Sequence, residues 1–207
     1  MLFIVLNVVI LLFSVIIHEI SHGFAALKFG DPTAKMSGRL TLNPIPHIDI
    51  VGTIVLPVML ILLRSPFLFG WAKPVPVNPL NFKNPKRDMM LTSLFGPLSN
   101  FALAIIFALF YRVFFLLGGK ANIFTQGFVY GAAINVLLFC FNLIPIPPLD
   151  GSKVLMYFLP DTVAEGFRRI ERFGFIIIFA LFFLGILGGI LYPIMRFFLY
   201  FLLEAGT

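Results

Sequence analysis

The chain has 207 residues, of which 60% are hydrophobic and only 12% are charged, with a mean hydropathy of +1.04. Soluble domains are about half apolar and about a quarter charged, so this composition excludes an ordinary soluble protein and predicts an all-α polytopic membrane protein. The formal net charge of +6 is not arranged as a basic stripe with interleaved aromatics, so nucleic acid is not expected as a partner. The length permits one compact transmembrane helix bundle, a single domain over residues 1–207.

Apolar runs predict the transmembrane segments. The first run, residues 2–27, is long enough to cross about 30 Å of hydrocarbon as a helix. The run at 50–63 is shorter, which is typical of a short or re-entrant segment. Further spans are predicted at 91–117, 124–148 and 173–191, followed by a terminal apolar segment at 192–203 that spans at a tilt or lies in the interface.

Two connections between these runs favour extended backbone. Residues 36–42 alternate weakly between polar and apolar side chains, and residues 70–78 carry prolines at alternate positions. Because proline has no backbone N–H, the second stretch suits a sheet edge or a polyproline conformation. We therefore predict short membrane-associated β-strand or hairpin segments after the first helix.

The basic residues predict the orientation of the chain in a cell membrane. Most lysines and arginines lie either between the first span and residue 91 or after Asp150. The positive-inside rule places both regions on the cytoplasmic side, which favours a re-entrant segment at 50–63. In that topology the spans at 2–27 and 124–148 run in the same direction, and both carry their polar residues near the cytoplasmic end.

The first span contains a polar cluster near its end, His18-Glu19-Ile20-Ser21-His22. On a helix His18 and His22 share one face, and two imidazoles so placed can hold one zinc ion. Glu19 is displaced by one position, near enough to take a proton from a metal-bound water. The alternative is two unrelated core histidines, but ionisable groups at bilayer depth cost on the order of 3 kcal/mol each and usually mark function.

Asp150 is the candidate third ligand. It follows the proline-rich end of the span at 124–148, and the predicted topology puts it at the depth of His18 and His22. Two imidazoles and one carboxylate leave a fourth tetrahedral position for water, which is the usual arrangement of a catalytic zinc site. The alternative role for Asp150 is that of a turn or helix-capping residue before Gly151.

Two further motifs accompany the histidine motif. The three are His18-Glu19-x-x-His22, Gly96-Pro97-x-x-Asn100 and Asn142-x-x-Pro145-x-Pro147-x-Leu149-Asp150-Gly151. In this order they resemble the site-2 proteases, the intramembrane zinc metalloproteases of peptidase family M50. The resemblance implies one Zn²⁺ bound by His18, His22 and Asp150, with Glu19 as the general base. It also implies that the extended stretches hold the substrate as an added strand, which unwinds a substrate helix before cleavage.

Asn100 and Asn142 are candidate catalytic residues. Either could polarise the scissile carbonyl group or hold the substrate backbone, and one such amide donor can contribute about 3 kcal/mol to a transition state. The alternative role is hydrogen bonding between helices, which is worth about 0.6 kcal/mol.

The sequence therefore predicts a zinc metalloendopeptidase that cuts peptide bonds in or near transmembrane segments, with membrane proteins and the bilayer as its partners. One alternative is a membrane metal-binding protein or transporter that uses the same ligands without Glu19 as a base. Transporters usually carry polar residues across the whole bilayer and often contain repeats, whereas the polar groups here gather at one depth. Another alternative is a relative that binds helices without cutting them. An oligomer is compatible with the sequence, but no residue argues for one.

Overall fold

In the computed structural model, which describes residues 1–64 and 70–204, this part of the chain is mostly helical and contains no β-strand. The predicted all-α class is therefore confirmed. The α-helices within the described residues are α1 (Leu2–Lys28), α2 (Thr33–Met36), α3 (Leu56–Leu62), α4 (Pro85–Leu116), α5 (Ile123–Asn142), α6 (Asp150–Phe158), α7 (Asp161–Ile170), α8 (Gly174–Phe183) and α9 (Ile186–Leu199). Turns of π-helix lie at Ile50–Val55 and Tyr200–Glu204, and turns of 3₁₀-helix lie at Ile45–His47, Pro79–Asn81 and Glu171–Phe173.

Four helices of the described chain are long and apolar enough to cross a membrane. They are α1, α4, α5 and α9 together with its π-helical extension, Ile186–Glu204. The apolar helix at Ile50–Leu62 is shorter than these four. With several such helices, the chain is a multi-pass membrane protein.

Three helix boundaries differ from the predicted spans: α4 begins at Pro85 instead of residue 91, and the other two differences have a local cause. Instead of continuing to residue 148, α5 ends at Asn142, because the prolines that follow at 145, 147 and 148 cannot continue a helix. In place of one helix over 173–191, the structure has α8 and α9 separated at Gly185, whose φ is +73°. Glycine adopts this left-handed conformation without steric cost, so the helix ends there.

The predicted β-strands are wrong. Residues 36–42 contain the end of α2 followed by turns, and residues 70–78 are extended but pair with no strand in the described part of the chain. Prolines at 74 and 76 remove backbone N–H groups from this stretch. The N–H groups of Val75 and Asn78 instead bond to carboxylate side chains. We refer to residues 71–78 as the extended segment.

Three helices pack together around the candidate site. α4 packs against both α1 and α5, and α1 also contacts α5. Small residues allow the close approach, as at Gly131 of α5, where an added Cβ would lie 2.5 Å from Cδ1 of Phe107 on α4. α6 also packs against α4. The residues of α1 and the first residue of α6 are therefore brought to the same side of α4.

Candidate metal centre

Ligand atoms from two distant parts of the chain converge between α1 and the start of α6. Nε2 of His18 lies 3.0 Å from Nε2 of His22, and Oδ2 of Asp150 lies 3.2 Å from each of these nitrogens. Four ligands placed about 2.0–2.1 Å from a tetrahedral zinc ion are about 3.3 Å apart, so this triangle has the size of one face of such a site. Two imidazoles and one carboxylate are also donors that zinc accepts, so the residues present fit the ion.

A glycine on α4 makes room for the two imidazole rings. A Cβ added at Gly96 would lie 2.3 Å from Nε2 of His22 and 2.7 Å from Cε1 of His18. No side chain larger than hydrogen fits at this distance without displacing both rings. The glycine of the second motif therefore has a steric function, since it allows the α4 backbone to lie directly against the candidate ligands.

Hydrogen bonds behind the rings fix their orientation. Nδ1 of His22 donates to the backbone carbonyl of Thr92 at 2.8 Å, and Nδ1 of His18 bonds to Oδ1 of Asn100 at 2.6 Å. An imidazole that carries its proton on Nδ1 has a free lone pair on Nε2, which is the form that binds a metal. In that tautomer both rings direct the lone pair of Nε2 toward Asp150 and the space between them.

The position of Asp150 follows from the end of α5. The chain turns back after Asn142, and α6 begins at Asp150 itself. A Cβ added at Gly151 would lie 2.2 Å from the carbonyl oxygen of Leu143, so only glycine lets α6 start so close to the end of α5. On the other side of the carboxylate, Nζ of Lys153 lies 3.6 Å from Oδ1. This ion pair leaves Oδ2 facing the histidines.

A cavity of about 340 Å³ opens beside the three ligands. It is lined by residues from α1, α4, the end of α5, the start of α6 and the extended segment, among them Glu19, Val75, Asn142 and Lys153. Oε2 of Glu19 accepts a hydrogen bond of 2.7 Å from the backbone N–H of Val75. The glutamate next to the first candidate ligand therefore contacts the cavity wall directly.

A second carboxylate anchors the same wall outside the membrane-spanning helices. Asp31, just beyond the end of α1, is fully buried and accepts bonds of 2.7 Å from the backbone N–H of Asn78 and from Nδ2 of Asn81. Burial alone would raise the pKa of Asp31, but hydrogen bonds from Asn81, Thr33 and Asn78 outweigh it and hold the pKa below its usual value. Asp31 is therefore an ionised anchor for the extended segment.

Comparison with known proteins identifies the family. The chain is 40% identical over 195 residues to the protein YwhC of Bacillus subtilis, a match that covers 91% of this chain and 85% of that protein. The chain belongs to peptidase family M50. The sequence profile of that family matches residues 118–185, which include Asp150, and the membership predicted from the three motifs is confirmed.

More distant relatives of this M50 protein are known from other organisms. It is 29% identical over 170 residues to Rip2 of Mycolicibacterium smegmatis, covering 82% of this chain and 63% of that protein. It is 38% identical over 65 residues to MJ0611 of Methanocaldococcus jannaschii, covering 31% of this chain and 32% of that protein. YwhC, Rip2 and MJ0611 are all named putative zinc metalloproteases. No solved structure matches the chain significantly.

The two asparagines predicted as catalytic in this M50 protein lie in different surroundings. Asn142 lines the cavity, and its Nδ2 donates to the carbonyl of Leu138 one turn earlier in α5. Asn100 is fully buried behind His18 and is absent from the described residues that line the cavity. From α4, the side-chain amide of Asn100 donates hydrogen bonds to Ser14 on α1 and to Asn135 on α5. These contacts correspond to the alternative role, which is hydrogen bonding between helices.

Sequence reasoning missed several residues that support this M50 site. Ser14 of α1 and Asn135 of α5 are fully buried and share hydrogen bonds with Asn100, and the Thr92 carbonyl holds His22. The sequence could have indicated Asn135, because a polar side chain in the middle of an apolar span is costly and is usually retained for a function. No signal existed for Thr92, since its backbone carbonyl provides the contact and any residue carries one.

Proposed function

We propose that this protein is an intramembrane zinc metalloprotease that hydrolyses peptide bonds in or near transmembrane segments of membrane proteins. The observation that carries the proposal is the triangle formed by His18, His22 and Asp150, with edges of 3.0 to 3.2 Å. Its two histidines belong to the candidate membrane span α1, and Glu19 follows the first of them. Membership of family M50 and the names of the relatives support it.

His18, His22 and Asp150, which line the cavity, would hold one Zn²⁺. When bound, zinc acidifies water and polarises a carbonyl oxygen, which supplies a nucleophile near neutral pH without a covalent enzyme intermediate. The chain's own contribution is to hold the ligands unprotonated at Nε2. It does so through the Nδ1 bonds to Asn100 and to the Thr92 carbonyl.

Glu19 is the proposed general base. The Val75 N–H occupies its Oε2 at 2.7 Å, so Oε1 is the oxygen that accepts a proton from water. Glu19 then delivers this proton to the nitrogen of the leaving amine. Because the Val75 bond restrains the carboxylate, little reorganisation is needed at either step.

Asn142 is the proposed contact to the substrate backbone. One N–H of its amide is directed to the Leu138 carbonyl, and the side chain lines the cavity. We propose that the second N–H donates to a substrate carbonyl, where a well-placed amide donor contributes about 3 kcal/mol to the transition state. Asn100 does not enter this step and acts behind His18.

Substrates reach the cavity as extended peptide, since the peptide bonds of an intact helix are shielded by their own hydrogen bonds and side chains. Pro74, Val75 and Val77 of the extended segment line the cavity, so an incoming peptide passes alongside extended backbone. We further propose that the cavity lies toward the cytoplasmic side, because most basic residues lie in the connections on that side of α1 and α4. Membrane proteins and the bilayer are then its partners, and nucleic acid is not.

The test uses purified protein in liposomes with a panel of synthetic single-span peptides, analysed by mass spectrometry and metal analysis. Wild-type protein is expected to bind one zinc per chain and to cleave at least one peptide. Glu19→Gln is expected to keep zinc, because Gln still accepts from Val75, and to lose cleavage. Asp150→Ala is expected to lose both.

The same preparation separates the rival function. A transporter that uses the same ligands would move zinc across the liposome membrane and cleave nothing. Zinc flux without cleavage, or full cleavage by Glu19→Gln, would overturn the proposal.

A further inference from the structure

Beyond that proposal, although resting on its metal site, we propose that Asn135 is a positioning residue that fixes the tautomer of His18 through Asn100. Asn135 lies on α5 and contacts neither the cavity nor the candidate ligands. It is nevertheless one hydrogen bond away from the amide that faces His18. The chain of bonds therefore links the middle of α5 to a ligand on α1.

The hydrogen bonds that connect Asn135 to His18 are short, and the side chains of Ser14, Asn100 and Asn135 that make them are fully buried. Oδ1 of Asn100 lies 2.6 Å from Nδ1 of His18, and Nδ2 of Asn100 lies 2.9 Å from Oδ1 of Asn135. Nδ2 of Asn135 lies 2.8 Å from Oγ of Ser14 and 2.9 Å from the carbonyl oxygen of Gly131. Oγ of Ser14 in turn lies 2.8 Å from the carbonyl oxygen of Ile10.

Backbone carbonyls determine the direction of every bond in this chain, because they can only accept. The Gly131 carbonyl requires the NH₂ group of Asn135, so Oδ1 of Asn135 must face Asn100. Asn100 then has to present its own NH₂ group to Asn135 and its Oδ1 to His18. An oxygen at that position requires a proton on Nδ1 of His18, which leaves Nε2 free for the metal.

Because these groups are buried, they have no alternative hydrogen-bond partners in solvent, and the directions of the bonds are fixed. Ser14, Asn100 and Asn135 are all 0% exposed, so water cannot replace a missing partner in this part of the structure. If Asn135 could not accept, the NH₂ group of Asn100 would keep only its longer bond of 3.3 Å to the backbone carbonyl of Ser14, and the amide could rotate more easily to offer NH₂ to His18. His18 would then carry its proton on Nε2, where it blocks the metal.

His22 provides a natural control inside the same site. Its Nδ1 donates to the Thr92 backbone carbonyl, which belongs to no rotatable amide and does not depend on Asn135. Removing the side-chain amide of Asn135 should therefore alter His18 and leave His22 unchanged. A purely structural role for Asn135 would not distinguish the two rings.

The first experiment measures zinc affinity of the full-length protein in detergent by competition with a chelator. Asn135→Leu replaces the amide with an apolar side chain of similar size. We expect it to weaken zinc binding by about 10- to 100-fold, the usual effect of losing an outer partner of a metal ligand. The matched control is Val136→Ala, the next residue of α5 and also fully buried, which should lower thermal stability and leave zinc affinity unchanged.

The second experiment reads the tautomer directly in metal-free protein by ¹⁵N NMR of labelled histidine. The chain contains only three histidines, so the spectrum is simple. At alkaline pH, where imidazoles are neutral, wild-type His18 and His22 should both show the form protonated at Nδ1. In Asn135→Leu only His18 should shift toward the Nε2-protonated form. Asn135→Ala removes the same groups without added bulk and replaces the Leu variant if that variant does not fold.

Unchanged zinc affinity together with an unchanged His18 tautomer in these variants would overturn the inference. Equal shifts of His18 and His22 would also overturn it, because they would indicate a general loosening of the helices. If wild-type protein bound no zinc, the proposed protease function would fail separately, whereas the tautomer measurement on metal-free protein would still decide the role of Asn135.

Discussion

The candidate ligands and the wall of the cavity are held in different ways. His18 stands where three long helices meet, with the fully buried side chains of Ser14, Asn100 and Asn135 behind it. The extended segment, residues 71–78, has no strand partner in the described chain. It is attached by individual hydrogen bonds, two of them to the carboxylates of Glu19 and Asp31.

This difference separates metal binding from access to the cavity. Packing between helices fixes the ligands before any metal arrives, as a tight metal site requires. The wall depends on a few local bonds, and one of its anchors is the proposed general base itself. Changes in the helix core should therefore act on zinc affinity, and changes in the extended segment should act on cleavage or stability while zinc binding persists.

The largest effect is expected from Gly96→Ala. The added Cβ would lie 2.3 Å from Nε2 of His22 and 2.7 Å from Cε1 of His18, and neither ring can retreat without losing its Nδ1 bond. We expect zinc affinity to fall by more than about 100-fold, measured by chelator competition.

The control for this variant is Gly188→Ala on α9. A Cβ added there meets no atom within 4 Å, and alanine favours a helix over glycine by up to about 1 kcal/mol. This variant should bind zinc as wild type does. Wild-type zinc affinity in Gly96→Ala would show that the ligands are less constrained than the packing implies.

An intermediate effect is expected from Val75→Pro, which removes the N–H that restrains Glu19. The segment already contains prolines on both sides of this position, so extended backbone is preserved. We expect kcat/KM to fall by about 10- to 100-fold, because a misplaced base loses its alignment with water and leaving group. Zinc content should not change.

Val75→Ala is the matched variant, since it shortens the side chain and keeps the N–H. It should lose much less activity than Val75→Pro. Equal losses in the two variants would assign the effect to side-chain packing, and loss of zinc from Val75→Pro would contradict the separation of wall and ligands.

The smallest effect on the site is expected from Asp31→Asn. The carboxylate accepts from the N–H groups of Thr33 and Asn78, the hydroxyl of Thr33 and Nδ2 of Asn81, whereas an amide offers one oxygen and an NH₂ group. We expect thermal unfolding in detergent to report a loss of about 1–3 kcal/mol. Zinc affinity should stay the same because Asp31 lies beyond the end of α1.

The same residue predicts an acid dependence of stability. The pKa of Asp31 in the folded protein lies below its unfolded value of about 3.9, so its contribution is complete above that pH and is lost as pH falls through the folded pKa. Wild-type stability should decrease in this acid range more steeply than that of Asp31→Asn. Parallel pH profiles for the two proteins would show that Asp31 is not the titrating group.

Much of the candidate site follows from sequence periodicity and topology. The four-residue spacing of His18 and His22 puts both on one face of α1. The direction of the spans then brings the end of α5 to the same depth, where the prolines stop the helix and Asp150 follows. These are short-range rules, and the family resemblance rests on the same residues.

The extended stretches show what local sequence patterns cannot predict. Proline spacing indicates extended backbone at 71–78, but a strand also needs a partner, which local sequence does not specify.

The glycines of the last apolar region also show a limit of local sequence, which does not specify at which glycine a helix ends. Gly185, Gly188 and Gly189 lie close together, yet only Gly185 has a positive φ and separates two helices.

The buried amides were beyond sequence reasoning for a different reason. Asn100 belongs to a recognisable motif, but its role depends on which groups from α1 and α5 surround it. Asn135 has no spacing relation to His18, since the two lie 117 positions apart in the sequence and the hydrogen bonds from Asn135 to the His18 ring run through Asn100 on a third helix. The role of each amide depends on which neighbour it donates to and which it accepts from, and this is determined only when the helices have packed together.

The size of the cavity has a consequence for the choice of targets. Its volume is about 340 Å³, which lies within the usual range for pockets that hold a small ligand or a short piece of peptide. If transmembrane proteins are the substrates, as proposed above, the cavity would receive a short stretch of peptide that has left its helix. Under that proposal, the choice of targets would follow the local cost of unwinding a substrate helix, which glycine and proline reduce.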